Sequence, residues 1–83
     1  MKRNKLRISA LTQTEVDIVK MHANFNQDQE TIFDYLNQDR LLDFAIMDRV
    51  GVSNHKYYQI KSIVLEKVVK IANEYGFENV LHH

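Results

Sequence analysis

The chain has no cysteine, no proline and no tryptophan, and only two glycines among its 83 residues. Without cysteine there is neither a disulfide framework nor a thiolate metal site, so a reducing, cytoplasmic setting is the expectation. Without proline the commonest helix breaker is gone, and a helical pattern can run until a glycine or a cap stops it. No apolar run approaches the roughly 20 residues of a membrane span, and no hydrophobic signal core follows the charged start. A net charge is lacking too: eleven Lys/Arg balance eleven Asp/Glu, which argues against binding nucleic acid by bulk basicity. Alternating strand patterns and hairpin dipeptides are missing as well. So are the His-Glu-x-x-His motif, the glycine-rich phosphate loop and the calcium loop. His22 and His55 have acids in the same chain, but no spacing selects a pair for acid–base work. Neither an enzyme nor a bound cofactor is expected.

What is present is the balance of an ordinary small globular domain, 45% hydrophobic and 27% charged. Its fold class is expected to be all-α, a four-helix domain. The first helix opens at the capping box Thr12-Gln13-Thr14-Glu15 and buries Val16, Val19 and Ala23. Asp28 is placed as the cap of a second helix through Ile32, Phe33, Tyr35 and Leu36. A third runs from Leu41 or Asp43 to Val50. A fourth starts from Ser53 as N-cap and continues to Tyr75, where Gly76 and the apolar Phe77 form a Schellman stop. Residues 1–10 read as a basic arm, 11–77 as the domain and 78–83 as a tail, with His82-His83 given no functional weight.

The most informative stretch is Asp43 to Ser62. With Gly51 as the corner, Ile46, Met47, Val50, Val52, Tyr57 and Ile60 fall at the spacing two helices need to pack steeply across a short turn. That register turns Asn54, His55, Lys56, Tyr58, Gln59 and Ser62 outward on the first turns of the fourth helix. In helix-turn-helix proteins this part of the second helix enters the major groove. Asn and Gln suit adenine, and Lys suits guanine. Ser53 at the helix N-terminus, Arg49 and Lys61 are placed for phosphates. Tyr57 is assigned to the core, while Tyr58 either stacks on the sugar-phosphate backbone or covers the neighbouring helix.

The run Ile46-Met47-Asp48-Arg49-Val50-Gly51-Val52-Ser53, followed by Tyr57-Tyr58-Gln59-Ile60-Lys61, resembles the helix-turn-helix of the ArpU-type phage late-gene regulators. Leu11-Thr12-Gln13-Thr14-Glu15, with Ile18 and Val19 after it, is similar to the first helix of region four in bacterial sigma factors, to which that family is related. The resemblance spans roughly Leu11 to Ala72 and is specific over Ile46–Lys61. It implies a phage- or prophage-derived transcription regulator that acts at double-stranded promoter DNA, alongside RNA polymerase. Gln59 stands where the family favours arginine, and the segment from Asn24 to Arg40 is longer and more acidic than the sigma pattern.

The zero net charge is a cancellation. Residues 1–7 hold Lys2, Arg3, Lys5 and Arg7, a basic arm able to reach DNA phosphates. Residues 8–48 hold eight acids against Lys20 and Arg40, and residues 49–70 hold five cations against Glu66. With a Debye length of about 8 Å, a local basic face acts despite remote acids. The acidic middle, 28–48 above all, is either a solvated helix face or a surface for a basic partner such as a polymerase subunit. On the fourth helix, Val64, Val68, Ile71 and Tyr75 form one stripe that Ile63, Leu65, Val69 and Ala72 widen beyond an ordinary surface helix. Either the first two helices wrap it or a second protomer does, giving a homodimer. The alternative to DNA binding is therefore a protein-interaction module that docks through its acidic segment or its long helix.

Overall fold

Each helix begins and ends where the sequence can satisfy its orphan backbone groups. In a computed structural model of the chain, which describes residues 8–77, a 3-10 helix at Ile8–Ala10 precedes α1 (Gln13–Ala23), α2 (Gln27–Gln38), α3 (Asp43–Val50) and α4 (Asn54–Tyr75). The described residues are all-α and contain no strand. At α1 the capping box forms as expected: Thr12 Oγ1 accepts from the Glu15 amide at 3.2 Å and Glu15 Oε1 from the Thr12 amide at 2.9 Å. Ser53 Oγ caps α4 by accepting from the Lys56 amide at 3.2 Å.

The cap of α2 is Asn26, and this corrects the assignment to Asp28. Asn26 Oδ1 accepts from the Gln29 amide at 2.8 Å, and Gln29 Oε1 accepts from the Asn26 amide at 3.2 Å. Asn and Gln thus form the reciprocal box that Thr and Glu form at α1, two residues ahead of where an acid alone suggested. Asp28 lies in the first turn, where its charge meets the positive end of the helix.

All four α-helices stop at a left-handed residue, Asn24, Asp39, Gly51 and Gly76. Gly51 (φ +79°) sends its N–H to the Met47 carbonyl at 2.8 Å, and Val52 adds a bond to the same carbonyl at 3.3 Å. At Gly76 (φ +72°), the Phe77 amide reaches back to the Ala72 carbonyl at 2.9 Å and the Phe77 ring is buried.

The helices close around α4. Its residues Tyr57, Ile60, Val64, Val68, Ile71 and Ala72 are buried against Val16, Val19 and Ala23 of α1, Ile32 and Phe33 of α2, and Ile46 of α3. Met47, Val50 and Val52 pack against this core from the α3 corner. Of the two coverings open to the long helix, wrapping by α1 and α2 is the one seen. Tyr75 leaves the stripe it was assigned to: it is 47% exposed, and its hydroxyl lies 3.0 Å from His22 Nε2. Residues 8–10 do not belong to a solvated arm, because Ile8 and the following Leu11 enter the core and Asn37 Nδ2 donates to the Ile8 carbonyl at 2.9 Å. The arm positions Lys2, Arg3, Lys5 and Arg7, and the tail with His82-His83, lie outside the described residues.

Lys67 of α4 closes the corner between α1 and α2. Its ammonium donates to the Asn24 carbonyl at 3.1 Å and to Gln29 Oε1 at 2.9 Å, and stands 5.6 Å from the centre of the Phe25 ring.

Candidate functional site

The corner between α3 and α4 comprises only Gly51, Val52 and Ser53. From there the first turns of α4 present Asn54, His55, Lys56, Tyr58, Gln59 and Ser62 to solvent, all exposed, while Tyr57 and Ile60 turn into the core. The expected outward set is therefore on one end of one helix. Arg49, in the last turn of α3, is exposed beside the same corner. Among the described residues, neither Arg49 nor Lys56 is in a salt bridge.

Lys61 has a different environment from the one expected for a phosphate contact. Its ammonium holds the Asp43 carboxylate through both oxygens, at 3.0 and 3.2 Å, and the two side chains are 24% and 35% exposed. Tyr57, whose ring is fully buried, donates its hydroxyl to Asp43 Oδ1 at 2.6 Å. Tyr58 places its hydroxyl 3.5 Å from Oδ2, with Lys61 Nζ 5.9 Å from its ring centre. Of the two roles open to Tyr58, covering the neighbouring helix is the one present, although 46% of the residue is still exposed.

Asp43 is thus the junction of α3 with α4. Its burial pushes the carboxyl pKa up, but the hydrogen bonds from Tyr57 and Lys61 and the charge of Lys61 outweigh that and hold it below the usual carboxylate value. Burial, then the bond to Asp43 and its negative charge, push the Tyr57 hydroxyl well above an ordinary tyrosine. Sequence reasoning counted Asp43 only as one acid ahead of the turn. The contact spans 14 and 18 residues along the chain, so no local spacing announces it.

The acidic middle is also largely committed to structure. Glu15 serves the α1 cap, Asp17 accepts from Gln13 at 3.0 Å, and Lys20 bridges Asp34 at 2.8 Å and Glu30 at 3.5 Å. The Asp34 carboxylate raises the Lys20 pKa, against the opposing effect of burial. With Asp43, five of the eight acids of residues 8–48 have a defined partner.

On its other flank the outward face of α4 meets the start of α2. Asn26, Asp28 and Gln29 form one wall of a shallow cleft whose opposite wall is His55, Lys56, Gln59, Ser62 and Ile63. The segment that lengthens the chain relative to the sigma pattern therefore sits beside the expected base-reading side chains. Its Asp28 partly offsets the charge of Lys56. Among the described residues no helix is long and apolar enough to cross a membrane. Comparison of the chain with protein-family models, with curated proteins and with solved structures finds no match.

Proposed function

We propose that this chain is a sequence-specific DNA-binding regulator of the helix-turn-helix kind, as its resemblance to the ArpU-type regulators implies. The observation that carries the reading is the outward cluster Asn54, His55, Lys56, Tyr58, Gln59 and Ser62, set at the start of a long helix by the Gly51 corner. Amides and hydroxyls in that position match the donor and acceptor edges of bases in a major groove. Ser53, at the positive end of α4, and Arg49 supply phosphate contacts.

The test is fluorescence anisotropy of the full chain against a pool of duplexes at low salt, followed by selection of the bound sequences. Binding is expected, with log K falling by about 0.9 per phosphate contact for each log unit of salt. Absence of binding to any duplex overturns the reading. A docking function is the second reading, favoured by Leu42 and Phe44, each 68% exposed on either side of Asp43. A protein partner, RNA polymerase included, that is retained after nuclease treatment and lost on reversing Asp28, Glu30 and Asp34 supports it.

A further inference from the structure

α4 buries one side against the other three helices, through Tyr57, Ile60, Val64, Val68, Ile71 and Ala72. The opposite side carries Ser62, Leu65 and Val69, spaced three and four residues apart, with Tyr58 four residues ahead. This is the a/d repeat by which one helix packs along another. Leu65 and Val69 are only half-buried, and Tyr58 is 46% exposed. Glu66 and Lys70 edge the stripe, both exposed, and neither is in a salt bridge among the described residues.

Those two charges decide what fits. A parallel copy sets Glu66 against Glu66 and Lys70 against Lys70, which repel. An antiparallel copy with Leu65 opposite Val69 brings Glu66 beside Lys70 of the second chain, and two-fold symmetry repeats the pair. We propose that this face of α4 binds a second copy of the chain, antiparallel, with Leu65 and Val69 at its centre and Glu66 and Lys70 exchanged across it. From Tyr58 to Asn73 the stripe is about 22 Å long at about 1.5 Å per residue. That is short for the roughly 1,200–2,000 Å² a stable complex buries, so the association is reversible and depends on concentration. Tyr58 and Ser62 stand where the stripe meets the base-reading face. In the dimer, reading falls to Asn54, His55, Lys56 and Gln59.

The experiment is sedimentation velocity on the full chain without DNA, over a wide concentration range at low salt. It compares the wild type with Glu66→Lys, Lys70→Glu and the double reversal, with helicity checked by circular dichroism. The wild type is expected to pass from monomer to dimer. Each single reversal should raise the dissociation constant several-fold by placing like charges together, and the double reversal should restore it. A wild type that stays monomeric throughout, a dimer indifferent to the single reversals, or a double reversal no better than the singles overturns the proposal. None of these outcomes bears on DNA binding, which is read separately.

Discussion

Replacing Asp43 with alanine tests the junction of α3 and α4 most directly. The substitution leaves the Tyr57 hydroxyl, now bonded at 2.6 Å in a residue with no exposed surface, without its acceptor. An unsatisfied buried hydroxyl costs about 1–3 kcal/mol. Loss of the Lys61 pair adds about 0–1 kcal/mol, because solvent still screens it. The expected loss is therefore about 2–3 kcal/mol, on the order of 10–20 °C in melting temperature for a domain this small. Urea titrations followed by circular dichroism measure it. The decisive comparison repeats Asp43→Ala in a Tyr57→Phe background, where no hydroxyl remains to be orphaned. There the cost should fall to about 1 kcal/mol or less, the contribution of the Lys61 pair alone. An Asp43→Ala protein as stable as the wild type, or an equal cost in both backgrounds, refutes the junction.

The same cluster sets a pH signature. Since the folded Asp43 carboxyl titrates below the unfolded value of about 3.9, its stabilisation is present above that pH and lost as pH falls through the folded value. The stability gap between wild type and Asp43→Asn should accordingly close in acid, as urea titrations at stepped pH would show. Gly51→Ala introduces no clash, since nothing lies within 4 Å of the new methyl, but its backbone φ of +79° is left-handed. It should cost about 1–2 kcal/mol from strain alone, read as a lowered melting temperature. If DNA is bound, Lys56→Ala or Arg49→Ala should reduce the salt slope of binding by about one, whereas Lys61→Ala should leave it nearly unchanged, because Asp43 already holds that ammonium.

The helices and their ends were legible because their signals are local. Thr12 with Glu15, Ser53 before α4, and Gly51 and Gly76 after their helices each act on residues within one turn, and each is found in place. Asn26 was passed over because Asp28 offered a charged cap two residues later, although Gln29 completes the box from the earlier position. The outward face of α4 was legible from the same periodicity that buries Tyr57 and Ile60. What could not be read was how charge pairs across helices. Lys61 looked like a cation for DNA because its partner lies on another helix, 18 residues back. The acidic middle looked like one surface until Lys20, Lys61 and the α1 cap divided it.

Lys67 links regions of the chain that sequence keeps far apart. The turn between α1 and α2 has its last α1 carbonyls, its Phe25 ring and its Gln29 amide all gathered by one ammonium from α4, 38 to 43 residues away. The α1–α2 hairpin is therefore not an autonomous folding unit. Its corner becomes whole only when the C-terminal half of α4 has docked, so the two must open together. In native-state hydrogen exchange the amides of Asn26 and Gln29 should share the opening free energy of Val64 and Val68, rather than that of a loop. Removing one cation would detach the corner and turn a single cooperative transition into two.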